Sequence, residues 1–243
     1  AGERPEFIIE YSCSHRTHES TPTPEHGVID VLGADCVEGY FPFDGDNNEA
    51  TGKFASESTG KFYHLDGYFG KGVRMDDGYI TAKDFRPGSG SFSVGLWFKT
   101  GGIPGDPALL SNKDWRSGGN PGFVLGLSGT SAFFNCGNGH GRFDTGAVLP
   151  LDFKDGWIYV VWSVDREANT VGVSMDFEPF RTTPIKEEFR GASFDTDLPV
   201  RIGQDGTGTY GKSFAVLIDE LVITNRALNN DDLAALKKFY AAE

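Results

Sequence analysis

Three stretches of the 243-residue chain combine aromatic rings with planar polar side chains, the pairing that carbohydrate recognition requires. The first runs Ser111-Asn112-Lys113-Asp114-Trp115-Arg116-Ser117-Gly118-Gly119-Asn120, with Trp115 set between Asp114 and Arg116. The second, Asn135-Cys136-Gly137-Asn138-Gly139-His140-Gly141-Arg142, offers Asn138, His140 and Arg142. The third, Gln204-Asp205-Gly206-Thr207-Gly208-Thr209-Tyr210, offers Asp205 and Tyr210 and could line the same end of the fold. A ring face takes the C–H surface of a sugar, while amide, guanidinium and carboxylate groups take its hydroxyls. These eight residues form the candidate set for a polysaccharide or other glycan. Structural roles compete for the same residues. Trp115 could cover the edge of the core, Lys113 and Asp114 could pair locally, and the Gly-Asn run could be a hairpin turn. Trp97, Trp157 and Trp162 have apolar, alternating neighbours and read as core.

Other chemistries find less support. A glycoside hydrolase needs two carboxylates aimed at one bond. The acid pairs Asp76-Asp77, Glu187-Glu188, Asp219-Glu220 and Asp231-Asp232 are each adjacent in sequence, so on a strand their members point to opposite faces. Carboxylates assembled from distant strands remain open. Cys13, His15, His18 and His26 invite a zinc reading, but their spacing matches no closed tetrahedral site. If the segment is the tail of a metal-dependent neighbour, those histidines belong to that domain. No nucleophile elbow, phosphate loop or Ser-His-Asp order stands out.

A formal charge of −13 disfavours nucleic acid, which needs clustered Lys and Arg to displace counterions. No run of about 18 apolar residues exists to span a bilayer, so membrane insertion is not expected. Three cysteines, Cys13, Cys36 and Cys136, permit one intramolecular bridge, and Cys13 with Cys36 is the nearest pair in sequence. Whether they are joined stays open.

The elements that must hold these loops read as short strands. Thirty-three glycines and 20 phenylalanines in a chain that is 38% apolar describe many strands joined by tight turns. Period-two or continuous apolar runs occupy 73–75, 79–81, 91–99, 122–127, 132–136, 157–165, 170–176, 200–203 and 214–224. Within Ser91–Phe98, Phe92, Val94, Leu96 and Phe98 would face one side and Trp97 the other, as in a half-buried central strand. Only the end reads as helix: Asn230-Asp231-Asp232 caps a repeat of Leu233, Leu236, Phe239 and Tyr240. Residues 1–36 differ from the rest. They read as an amino-terminal extension, laying one or two edge strands through Phe7–Ile9 and Val28–Leu32, or as the tail of a preceding domain.

Three segments carry a family resemblance: Tyr40-Phe41-Pro42-Phe43-Asp44-Gly45-Asp46-Asn47, Gly67-Tyr68-Phe69-Gly70-Lys71-Gly72-Val73-Arg74-Met75, and Ile218-Asp219-Glu220-Leu221-Val222-Ile223-Thr224-Asn225-Arg226-Ala227-Leu228. In this order the chain resembles the laminin-G-like, pentraxin-like jelly rolls of the concanavalin-A-like class, over roughly residues 39–241. The resemblance implies an all-β fold of two antiparallel sheets packed as a sandwich over 37–243, with a short carboxy-terminal helix. It also implies a structural Ca²⁺, held by Asp219, by Asp44 or Asp46, and by a carbonyl near Gly70 or Lys71. The Glu-x-Asp-x-Glu run of related endoglucanases is missing. The expected function is therefore a non-catalytic, calcium-stabilised carbohydrate-binding module of a secreted multidomain protein. The alternative is an accessory domain of a larger secreted glycosidase or metallophosphoesterase with no sugar binding of its own; a glycoside hydrolase ranks last.

Overall fold

The computed structural model describes residues 27–150, 153–154, 156–210 and 216–241. Cys13, His15, His18, His26 and the Phe7–Ile9 run lie outside the described residues, as does the start of the run expected at 214–224. In chain order the elements are α1 (Gly27–Leu32), β1 (Val37–Phe41), β2 (Ser56–Asp66), β3 (Lys71–Ala82), β4 (Phe92–Lys99), β5 (Ala108–Ser111), β6 (Gly122–Ser128), β7 (Ser131–Gly137), β8 (Arg142–Val148), β9 (Ile158–Asp165), β10 (Thr170–Met175), β11 (Arg181–Pro184), β12 (Val200–Ile202), β13 (Leu217–Thr224) and α2 (Asn230–Ala241).

Every strand pairing is antiparallel, and one hydrogen-bonded path, β11-β10-β9-β4-β13-β3-β12-β5-β6-β7-β8, folds over on itself into two layers. Strand β3 belongs to both layers: Val73 and Arg74 pair with β13, and Ile80 to Ala82 pair with β12. At the far end the path nearly closes, because Thr145 on β8 hydrogen-bonds Thr183 on β11 and Lys186 donates to the Arg142 carbonyl at 2.9 Å. The expected sandwich is thus present, built from one continuous sheet.

Phe92, Val94, Leu96 and Phe98 do enter the space between the layers. The other face of β4 is not open to water. Trp97 there is 5% exposed, stacked on Tyr68 at 3.6 Å and packed with Tyr159 and Tyr240. The half-buried strand becomes a fully buried one, because α2 lays Leu233, Leu236 and Tyr240 across that face. The helix cap falls one residue earlier than the pattern suggests. Asn229 Oδ1 accepts the Asp231 and Asp232 N–H groups, and Asp232 returns a bond from the Asn229 N–H.

Two expectations are corrected. Val28–Leu32 is a helical turn and not an edge strand: Val28 and Leu32, four apart, both point into the α2 cluster, and Gly33 closes the turn with φ +90°. The β-branched composition suggested a strand, but burial on one side decided the outcome. The runs at 73–75 and 79–81 are a single strand. Asp76-Asp77-Gly78 forms a bulge opposite Gly60, with Asp77 at φ +53°.

Candidate functional site

The outer face of the β5-β6-β7-β8 layer is ordered by its register. One cross-strand row is Ser111, Val124, Asn135 and Asp144; the next is Ala108, Gly126, Phe133 and Gly146; the third is Ser128, Ser131 and Val148. Because Ala132, Phe134 and Cys136 fill the core, period two forces Phe133 outward. Its ring leans over Gly126, where a Cβ would stand 2.7 Å from Phe133 Cζ, and exposed Gly146 leaves the other flank uncovered. The result is a groove of about 450 Å³ lined by Ser131, Phe133, Arg142, Asp144, Gly146 and Val148, with Trp115 along one wall.

The Trp115 loop, between β5 and β6, folds down over Ala108 and Val124. Trp115 is 6% exposed. Its ring stacks on Phe133 at 5.6 Å, and its Nε1 donates to the Asp106 carbonyl at 2.9 Å. Tyr210 supports the same wall, donating to Asp106 Oδ1 at 2.8 Å; burial and that bond push its hydroxyl up to about 12. Buried Asp205 organises the two loops, accepting the N–H groups of Trp115, Thr209 and Tyr210 and the Thr207 hydroxyl.

At the rim, Arg142 and Asp144 form a two-bond fork at 2.7 and 2.5 Å. Burial alone would raise the Asp144 carboxyl, but the hydrogen bonds from Arg142 and Asn135 hold it below the usual carboxylate range. A general acid for glycosidic cleavage needs the opposite shift.

Of the eight sequence-derived candidates, Trp115 and Arg142 line the groove, Tyr210 buttresses its wall, and Asp205 lies beneath. Asp114 bonds the Arg116 N–H and pairs with its exposed side chain at 3.4 Å, so it does not pair with Lys113. Asn138 caps a hairpin turn, accepting the His140 and Gly141 N–H groups, and exposed His140 sits at the tip. Sequence reasoning missed Phe133, Asp144, Gly146 and Val148. The available signal was Ser-Ala-Phe-Phe-Asn-Cys itself, in which one of two adjacent phenylalanines must leave the core.

Of the residues expected to hold calcium, Asp44, Gly70, Lys71 and Asp219 meet at one turn, and Asp46 stands apart from it. Asp219, 0% exposed, accepts the Tyr68 and Phe69 N–H groups on Oδ2 and the Glu220 N–H on Oδ1, and Asp44 Oδ1 accepts the Lys71 N–H at 2.8 Å. The Gly70 carbonyl takes the Gly67 N–H at 3.2 Å, and Asp46 bonds the Asn48 N–H. Burial, then the neighbouring Glu220, push the Asp219 carboxyl up to about 9. Ca²⁺ requires about six to eight oxygens. This turn instead presents N–H donors to its two carboxylates, and among the described residues no group of three or more His, Cys, Asp or Glu could hold a metal. Both carboxylates of this turn are thus engaged by main-chain N–H donors. Cys36 and Cys136 are not bridged to each other, and Cys13 lies outside the described residues.

A family model described as the concanavalin A-like lectin/glucanases superfamily matches residues 74–234. No curated protein matches the chain. Among solved structures, the binding domain of Paraclostridial Mosquitocidal Protein 1 superposes with a TM-score of 0.68 at 14% identity, covering 86% of this chain and 52% of that one. A botulinum neurotoxin type C structure, titled for cell entry dependent on two ganglioside molecules, gives 0.62 at 12%, covering 88% and 53%. Domain 4 of AbnA, an extracellular GH43 arabinanase from Geobacillus stearothermophilus, in complex with arabinotriose, gives 0.58 at 19%, covering 83% and 98%. This chain spans about half the length of the toxin binding domains it matches and nearly all of the arabinanase domain.

Proposed function

We propose, on the premise that this chain belongs to the concanavalin A-like lectin/glucanases superfamily, that it is a non-catalytic module binding a carbohydrate chain in the outer groove of β6-β7-β8. One observation carries the reading: Phe133 stands half-exposed between two glycines, within the same groove as the Arg142–Asp144 fork. A sugar ring can lay its C–H face on Phe133 while the fork offers donors and an acceptor to its hydroxyls. That the similar arabinanase domain was solved with arabinotriose, and the similar toxin domain is tied to gangliosides, supports a glycan partner. Asp144, held ionised by Arg142, does not suit the general-acid role of a hydrolase.

The module acts outside the cell within a longer protein. Those similar domains belong to toxins and an extracellular enzyme, and no described helix is long and apolar enough to cross a membrane. Calcium plays no part in this reading. EDTA is expected to leave the thermal midpoint within about 1 °C, since nothing that binds only the folded state is withdrawn. A drop of several degrees, reversed by added Ca²⁺, would reinstate a calcium staple at Asp44 and Asp219.

Calorimetric titration with soluble arabinan, xylan and β-glucan fragments tests the function. At least one is expected to bind, and Phe133→Ala to weaken it about tenfold, the loss of one aromatic anchor. Binding to none would favour the accessory-domain reading, and measured hydrolysis would overturn the non-catalytic one.

A further inference from the structure

Lys113 is a buried cation with no carboxylate in contact among the described residues. Its side chain is 0% exposed, and Nζ donates to the Gly118 carbonyl at 2.6 Å and to Asn135 Oδ1 at 2.5 Å while lying 5.7 Å over the Trp115 ring. An ammonium sealed from water without a counter-ion is costly, so its retention beneath a groove calls for a role.

Both of its acceptors lead to the rim. By taking Nζ on Oδ1, Asn135 is oriented with Nδ2 toward Asp144, which it reaches at 2.8 Å. Gly118, whose carbonyl is the other acceptor, is also the residue against which Arg142 packs: a Cβ there would stand 2.4 Å from the guanidinium. One ammonium therefore braces both arms of the fork.

We infer that Lys113 is the positioning residue of the groove, holding Arg142 and Asp144 in the geometry that reads a neutral glycan's hydroxyls, and that the groove loses affinity when this ammonium gives up its proton. Neutral glycans fit because Arg142 and Asp144 cancel within the fork and the chain as a whole carries −13. This inference rests on the carbohydrate reading of the same groove.

Burial lowers the Lys113 ammonium to about 8. The charged and titratable groups facing it are Cys136 on β7 and Arg142 and Asp144 on β8. Burial pushes the Cys136 thiol up to about 12, so it stays neutral across this range, and Arg142 and Asp144 keep their charges. Lys113 is thus the group in the set that titrates near pH 8. Once neutral, it no longer dictates which end of the Asn135 amide meets Asp144. The sign for folding is the reverse: a lysine lowered in the folded state adds stability as pH rises from about 8 toward its unfolded value near 10.5. Affinity and this group's stability contribution move in opposite directions.

The test has a ligand-free arm and a ligand arm. In wild-type protein, the Lys113 side-chain NMR signal is expected to titrate near pH 8, and the Arg142 Nε–H signal to move with the same midpoint. Lys113→Met should hold the Arg142 signal at its alkaline position at every pH. With the arabinan, xylan or β-glucan fragment that binds, affinity should fall about tenfold between pH 7 and pH 9, the scale of one charge-assisted hydrogen bond, and Lys113→Met should bind at the weak level throughout. An Arg142 signal that ignores the Lys113 titration, or a Lys113→Met protein that binds as wild type, would overturn the inference. If Lys113→Met does not fold, the wild-type titration decides alone. Intact coupling in a protein that binds no glycan at any pH would instead overturn the carbohydrate reading.

Discussion

Trp115→Ala is expected to destabilise the domain by ~3–5 kcal/mol, the range for emptying a buried tryptophan site. For a domain of this size that lowers the thermal midpoint by roughly 10 °C. The ring is 6% exposed and wedged between Phe133 and Tyr210, its indole N–H holds the Asp106 carbonyl, and its main-chain N–H is one of the bonds by which Asp205 ties two loops. Removing it leaves a cavity, an unmet carbonyl and a slack wall. Glycan binding should disappear with it, but through collapse of the wall, so this variant cannot separate a binding tryptophan from a structural one. Phe133→Ala is the better probe, because that ring is only partly buried and should cost less stability than Trp115, although it stacks on the same wall. Urea unfolding of the two variants side by side checks the contrast. Equal stability of Trp115→Ala and wild type would contradict the wall.

A second large effect is expected from adding one methyl group. Gly67→Ala would place a Cβ 2.4 Å from the Phe69 carbonyl oxygen, 2.5 Å from Asp219 Oδ2 and 2.7 Å from the Gly72 nitrogen. Two of those atoms are backbone and the third is pinned by N–H donors, so the turn must open. A cost of about 3 kcal/mol follows, at the upper end for overpacking and with a buried carboxylate disturbed besides. Gly101→Ala makes the same chemical change where nothing lies within 4 Å and should be nearly neutral. Thermal unfolding of the pair measures the difference directly, and similar midpoints would contradict the tight closure of this turn around Asp219.

The sandwich was legible because alternating or continuous apolar character is written into runs such as Phe92 to Phe98 and Gly122 to Leu127. Strands whose pattern is diluted escaped notice. In β8, Phe143 and Ala147 face inward but Thr145 interrupts them, and β2 is largely exposed, so neither shows a clear apolar period. The helix α1 was misread because six residues carry too little period to outweigh β-branched composition. Covering of the outer face of β4 by α2 depends on contacts far apart in sequence, which no local pattern encodes. At the groove, Trp115 and Arg142 announced themselves by type. Phe133 did not, because choosing which of two adjacent phenylalanines faces out requires the register of the strand. Asp205 and Asn138 stand out as polar groups in glycine-rich loops, and Asp219 through the resemblance carried by its strand. Such loops also need carboxylates and amides to take their backbone N–H groups, and that is the work the structure shows for all three.

The most direct test of the account is amide chemical-shift mapping with the neutral oligosaccharide that binds. Saturation is expected to move Ser131, Phe133, Gly146 and Val148 together with the side-chain signal of Arg142, while Asn138, His140 and the turn around Gly67 to Gly72 stay still. Shifts that instead cluster at the separate crevice of about 290 Å³ lined by Phe54, Phe85 and Arg86, with the β7-β8 face unchanged, would contradict it.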